Sequence, residues 1–305
     1  MLLLAGCATP QYAVRPTPAP EESADALEIE REISAIQARE FEQQGARRLG
    51  WNERLAGMDV QGVVDRLSRV TERPALHYRA YLYADDDPNA AALADGRIYL
   101  STGMVQYLAG RGSRVDELAF ILAHELAHTV AQHLVKRYRR LQQQQLMIAL
   151  AAAGAAAATR GASDAAQQAG RIAVDAVGLL QDVANSGYSQ EQELEADQLG
   201  IRYVSRAGFA PRAALDLLQD FSRFDYPWPF MRTHPYTSVR RDYLERYLAE
   251  TSSGIRYRPT HPANDRYLIP DVEAQRKALR EAQRLYPRGS VSWQNLQRQL
   301  EALDR

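Results

Sequence analysis

Leu118–Ala131 reads LAFILAHELAHTVA, and within it His124, Glu125 and His128 form the pattern His-Glu-x-x-His. At about 100° per residue, His128 falls only about 40° round a helix from His124, so both imidazoles leave one face a turn apart. Two rings so placed can grip one metal ion. Around them Leu118, Phe120, Ile121, Leu122, Leu126 and Val130 point in nearly every direction, as in a helix buried on all sides. The only ionisable residues of the stretch are the three in the motif. Burying charge without a partner costs on the order of several kcal/mol, and a divalent cation with a polarised water supplies the compensation. Upstream, Ser113-Arg114-Val115-Asp116 reads as a capping box, with Ser113 as N-cap and Asp116 at N3, which puts the motif in the helix interior.

A second helix is expected over Gly187–Gly208, GYSQEQELEADQLGIRYVSRAG, opened by a Ser189/Gln192 capping box and closed by Gly208. With Glu193 at zero on a helical wheel, Asp197, Gly200, Ile201 and Val204 fall within about 80° of it, on the apolar face. Glu191, Glu195, Gln198, Arg202 and Arg206 fall on the opposite, solvent side. Stabilisation of a helix N-terminus by acidic residues accounts for Glu191 and Glu195, but not for carboxylates turned inward.

Joining the two inward polar stripes gives a ligand set. His124 and His128 supply imidazole nitrogen, Glu193 supplies oxygen, and water completes a tetrahedral site for one Zn2+ per chain. Manganese, cobalt or nickel would accept the same donors. Asp197, one turn on, is placed to accept the free N–H of a ligand histidine and fix its tautomer. Glu125 projects about 100° from His124, beside the metal, where it serves as general base. His133 falls half a turn round from His124 and reads as a surface histidine.

His124-Glu125-Leu126-Ala127-His128 followed by Ser189-Gln190-Glu191-Gln192-Glu193-Leu194-Glu195-Ala196-Asp197 resembles peptidase family M48, the zinc metallopeptidases of the HtpX, CAAX prenyl protease and Oma type. The plan is most similar to the periplasmic BepA/LoiP-like lipoprotein proteases, over about Ala75–Leu248. The resemblance implies Glu193 as third zinc ligand, with Asp197 behind the ligands. Thr233-His234-Pro235 matches the family's late histidine-proline loop. It implies that His234 acts catalytically, as a removable fourth ligand holding the enzyme latent or as an oxyanion donor; a plain turn histidine before proline is the other reading. Arg240, six residues on, is a candidate charge partner at the site.

The remaining sequence frames this centre. With 305 residues, 46% hydrophobic, 25% charged and net charge −1, the chain can bury a sizeable core and offers no electrostatic case for nucleic acid. Its one cysteine, Cys7, excludes an internal disulfide. Leu4-Ala5-Gly6-Cys7 resembles a bacterial lipobox; residues 1–7 read as a signal remnant, and Ala8 after the cysteine favours the outer membrane. Residues 8–24, with Pro10, Pro16, Pro18 and Pro20, read as an extended tether. Residues 25–254 are expected to form the metallopeptidase domain and 255–305 a helical extension, in which Asp271–Leu303 allows at most one hairpin, turning at Pro287-Arg288-Gly289, too short for a tetratricopeptide platform.

Within the domain, amphipathic helices are expected over 25–49 and Met58–Thr71. Strands are expected over Leu76–Tyr83 and Gly96–Ser101, a hairpin as bare sequence, with a turn at Asp85–Asn89. By analogy with zincins, Gly96–Ser101 or the neighbouring Ala90–Ala92 is the edge strand that receives substrate backbone. Leu146–Ala158, uncharged and mostly alanine, is short of the about 20 residues that span a bilayer. It is either a helix packed on the domain or a segment touching membrane or a partner, and Ile172–Val183 pairs with it. The fold expected is α+β, mainly α, with a zincin-like domain and a small β-sheet beside the His-Glu-x-x-His helix. The function expected is a zinc endopeptidase on the periplasmic face of the outer membrane, anchored by lipid at Cys7 and cleaving misfolded or stalled envelope proteins. The alternative is a lipoprotein that binds unfolded clients without cutting, as a chaperone or assembly factor; an intact Glu125 argues against it, because binding needs no general base.

Overall fold

The His-Glu-x-x-His stretch lies on a helix, Arg114–Val130, in which every residue from Glu117 onward is buried. The computed structural model describes residues 20–111, 114–160, 176–222, 234 and 237–251, with isolated positions between 280 and 301. The lipobox and Cys7, most of the tether, Ser113, Ile172–Asp175, Thr233, Pro235 and nearly all of the 255–305 extension lie outside the described residues.

In chain order the described elements are α1 (Ala24–Gln43), β1 (Arg47–Arg48), β2 (Arg54–Leu55), β3 (Met58–Asp59), α2 (Val60–Ser68), β4 (Arg79–Tyr83), β5 (Ala90–Ala92) and β6 (Arg97–Ser101). There follow α3 (Thr102–Ala109), α4 (Arg114–Val130), α5 (His133–Arg160), α6 (Ala176–Ala184), α7 (Gln190–Arg206), α8 (Ala213–Phe221) and α9 (Thr237–Thr251). The fold is mainly helical around a small sheet of order β1-β4-β6-β5. Helix α1 stops at Gln43, short of the expected span, because Gly45 turns left-handed (φ 71°) and the chain enters β1.

The two expected strands do not pair as a hairpin. β4 runs parallel to β6, with Ala80 opposite Ile98, and the true hairpin joins β5 to β6, with Ala91 opposite Tyr99. Three consecutive alanines give no period-two signal, so β5 was visible only as a neighbour of the expected strand. Its turn closes through Leu93 N–H to Arg97 O (2.8 Å) and Gly96 N–H to Leu93 O (3.1 Å), with Gly96 at φ 92° where a side chain would be strained. β6 is thereby central and β5 is the edge strand.

Ile98 and Leu100 of β6 point into the main core with α2, α4, α7 and α8. Tyr99 points to the other face, stacking on Phe41 of α1 (4.1 Å between centroids) and on Tyr81 (4.9 Å). A third cluster joins Ile29 and Ile33 of α1 to Leu134, Val135 and Tyr138 of α5 and Leu179, Leu180 and Val183 of α6. Further along α5, Leu146, Met147, Ile148 and Leu150 are 54–66% exposed, so the packed alternative fails at those four residues. No described helix is long and apolar enough to cross a membrane.

Helix α7 crosses α4 at Gly200, whose missing Cβ is what permits the approach. A methyl there would sit 3.2 Å from the backbone nitrogen of His124 and 3.4 Å from Ala123 C. Backbone cannot rotate out of the way as a side chain does. Gly200→Ala is therefore expected to cost about 1–3 kcal/mol by overpacking, read as a lower urea midpoint at unchanged slope.

Candidate metal centre

Helix α4 presents His124 and His128 one turn apart, and α7 presents Glu193 and Asp197 one turn apart across the Gly200 crossing. The α7 start is held by the expected capping box, Ser189 with Gln192, and Gly208 ends it at φ 76°. His234, ahead of α9, and Arg240, on α9, approach from the third side. His124, Glu125, His128, Glu193, Asp197, His234 and Arg240 are all at most 2% exposed.

One donor atom from each of His124, His128, Glu193 and His234 lies within 4.8 Å of the other three. His124 Nε2 is 3.0 Å from His128 Nε2 and 3.0 Å from His234 Nδ1. Glu193 Oε1 is 3.4 Å from His128 Nε2 and 3.1 Å from His234 Nδ1, and its Oε2 is 3.5 Å from His124 Nε2. A tetrahedron of donors about 2.0–2.2 Å from a zinc ion has edges of about 3.3–3.6 Å, so the separations of 3.0–3.5 Å fit a small cation at the centre.

The donor chemistry points the same way. His124 Nδ1 lies 2.8 Å from Asp197 Oδ1 and His128 Nδ1 lies 2.7 Å from His133 Nδ1. Assigning ring protons from these partners leaves both Nε2 atoms as lone pairs facing each other. A cation between them turns that repulsion into binding. Among the described residues, Glu193 Oε2 and Glu125 Oε1 are buried without a well-aligned hydrogen bond, although Arg240 Nη1 is 2.7 Å from the first and His234 Nε2 3.2 Å from the second.

Charge is arranged to keep the donors ready. Burial pushes the His128 imidazole well below its ordinary range, which favours the neutral ring a metal needs. Burial opposes ionisation of Glu193, yet the charges of Arg240 and His234 outweigh it and hold the carboxyl well below its usual value. Asp197 is lowered in the same way, chiefly by Arg240, whose Nε and Nη2 meet its two oxygens at 2.8 and 2.7 Å. Burial raises Glu125, partly offset by His234, His124 and the backbone N–H of Ala92, which donates to Oε2 at 2.8 Å. The edge strand β5 thus holds Glu125 directly.

Two readings of the sequence need correction. His133 is not on the surface: it is 1% exposed, beneath His128, with Nε2 3.2 Å from Glu195 Oε2. The wheel failed because α4 and α5 are separate helices, broken at Gln132 in the left-handed region (φ 54°). Glu195 and Gln198, expected at the solvent side, are only 14% exposed by side chain and 7% exposed respectively; His133, the first residue of α5, lies against Glu195. Tyr188 was not singled out either. Its ring stacks on His128 at 3.6 Å between centroids, and no periodicity marks it because it precedes the helix.

The profile of peptidase family M48 matches residues 55–248. The chain is 31% identical over 172 residues to the beta-barrel assembly-enhancing protease of Yersinia pestis, covering 55% of this chain and 33% of that protein. Against the Escherichia coli K12 protein of the same name, identity is 30% over 169 residues, covering 53% and 33%. The mitochondrial metalloendopeptidase OMA1 of Schizosaccharomyces pombe is 28% identical over 200 residues, covering 63% and 52%. The chain therefore spans a third to about half of these relatives' length. With the profile lying over the same residues that build the α4–α7 donor cluster, the chain belongs to peptidase family M48.

Proposed function

We propose that this protein is a zinc-dependent endopeptidase of the bacterial cell envelope that cleaves misfolded or stalled outer-membrane and other envelope proteins. The observation that carries the reading is the donor cluster of His124, His128, Glu193 and His234 with Glu125 beside it, bonded to the edge strand. His124, His128 and Glu193 would hold the zinc ion, which when bound polarises a peptide carbonyl and acidifies water.

The residues of the chain do the rest. Extended substrate backbone adds to β5, the edge of the sheet, which brings its carbonyl past Glu125. Glu125 takes a proton from the attacking water and returns one to the leaving amine; its raised proton affinity suits both transfers. Asp197, clamped by Arg240, fixes the orientation of His124. His234 Nδ1 lies among the donors, 3.0 Å from His124 Nε2, so it favours the latent reading: the ring must withdraw before a substrate carbonyl can approach. His234→Ala is accordingly expected to raise casein hydrolysis several-fold without loss of zinc. A fall in activity at retained zinc would instead make His234 an oxyanion donor.

Support for the client class comes from the relatives named for β-barrel assembly, and for location from Leu4-Ala5-Gly6-Cys7, which would carry a lipid anchor to the periplasmic face of the outer membrane. The reading is tested by metal content and casein hydrolysis of wild type and Glu125→Gln, with His234→Ala to relieve latency. Equal, low activity in all three would leave the non-cutting chaperone.

A further inference from the structure

His133 has no part in the mechanism above, yet it is built into the centre with unusual care. Its Nδ1 is 2.7 Å from His128 Nδ1, and its Nε2 is 3.2 Å from Glu195 Oε2. Its backbone carbonyl accepts from Gln192 Nε2 at 3.3 Å, which ties the first residue of α5 to the start of α7, the helix that carries Glu195. What brings His133 into reach is the break at Gln132. A non-glycine residue in the left-handed region costs on the order of 1 kcal/mol or more and persists only where its surroundings impose it. They do: Gln132 donates to Glu21 O and to Glu30 Oε1, both at 2.8 Å, and accepts from Glu21 N–H at 2.7 Å. Glu30 is itself held by Arg73 through contacts of 2.8 and 2.9 Å.

The contacts leave each proton one place. A histidine that offers Nε2 to a metal carries its proton on Nδ1. The atom opposite is His133 Nδ1, which must then accept, so the His133 proton sits on Nε2 and is donated to the Glu195 carboxylate. His124 is oriented differently, by a direct carboxylate, Asp197, at 2.8 Å. The two ligand histidines are therefore aimed by two different devices, one a single step long and one two steps long.

We propose that His133, anchored by Glu195, is a positioning residue that locks His128 in its Nδ1–H tautomer and keeps the Nε2 lone pair aimed at the metal. The inference rests on the metallopeptidase reading above and deepens it. Partners of this kind are worth about 10–100-fold in metal affinity.

The test is zinc affinity of the full chain by competition with a chromophoric chelator. Long-range 15N correlation spectra of the zinc-loaded protein, reporting which ring nitrogen of His128 is protonated, accompany it, together with urea unfolding of the metal-free forms. Relative to wild type, His133→Ala is expected to bind zinc about tenfold or more weakly and to lose the single Nδ1–H signature of His128. Glu195→Ala should weaken binding several-fold, whereas Glu191→Gln, an exposed carboxylate on the same helix, should change it less than about twofold, which separates the relay from simple loss of negative charge. If His133→Ala does not fold, Glu195→Ala decides alone. Zinc affinity within about twofold of wild type in His133→Ala or, failing that, in Glu195→Ala, with the His128 signature intact, overturns the inference. Should wild type itself bind no zinc, the enzymatic reading falls with it; should His128→Ala abolish binding while His133→Ala leaves it unchanged, only this inference falls.

Discussion

Glu125→Gln is expected to lower peptide hydrolysis by about 10²–10⁴-fold while zinc content and unfolding midpoint stay close to wild type. The substitution keeps volume and keeps an oxygen able to accept the Ala92 N–H, so the β5 contact at 2.8 Å survives. What disappears is the basic oxygen. Glutamine cannot take a proton from water, and the step reverts to solvent. Because Glu125 lies next to the donor cluster and not in it, metal should remain, which distinguishes loss of the base from loss of the ion. Single-turnover hydrolysis with zinc quantified on the same sample measures both. A variant with more than about a tenth of wild-type turnover would remove Glu125 from the mechanism.

The second large effect is on stability. Arg240 is 1% exposed and neutralises two buried carboxylates, with Asp197 at 2.7 and 2.8 Å and Glu193 at 2.7 Å. Removing one partner from a buried ionic network leaves uncompensated charge, so Arg240→Ala should destabilise the metal-free protein by about 3–5 kcal/mol. Zinc returns positive charge to Glu193 and should recover part of that loss, making the variant far more zinc-dependent than wild type. Arg240→Lys, which keeps the charge but not the planar fork, should fall between them.

The pH dependence has a defined sign. In wild type both carboxyls are held below their unfolded values of 4.5 and 3.8, so their contribution is full above those values and is lost as pH falls through the lowered ones. In Arg240→Ala the first charge partner of both carboxyls is gone, and burial, the largest cause acting on each, is expected to raise them. The deficit is then largest near neutrality and shrinks on acidification toward the unfolded carboxyl range. Urea unfolding of the chelated proteins across that range measures it, and a flat deficit would mean that Arg240 stabilises by packing alone.

The parts of the centre legible in the sequence are those governed by helical periodicity within one element. His124 with His128, and Glu193 with Asp197, could be read because four residues bring side chains back to one face, and burial of that face made uncompensated charge untenable. Helix α7 was legible at both ends through Ser189, Gln192 and Gly208. The β4–β6 pairing was not, since parallel neighbours leave no local mark and β5 is three alanines. His133 was misread for a related reason: a wheel assumes an unbroken helix, and Gln132 breaks it.

Sequence alone thus located the nitrogen- and oxygen-bearing side chains of the cluster, the helix faces they leave from, and the family those motifs resemble. Tertiary structure decided which of them meet. The Gly200 crossing sets the His-to-Glu distance, the fold of α9 brings Arg240 onto both carboxylates, and a left-handed residue swings His133 beneath His128. Periodicity is a property of a few consecutive dihedral angles, whereas these contacts join residues from 5 to 76 positions apart and depend on how whole elements pack.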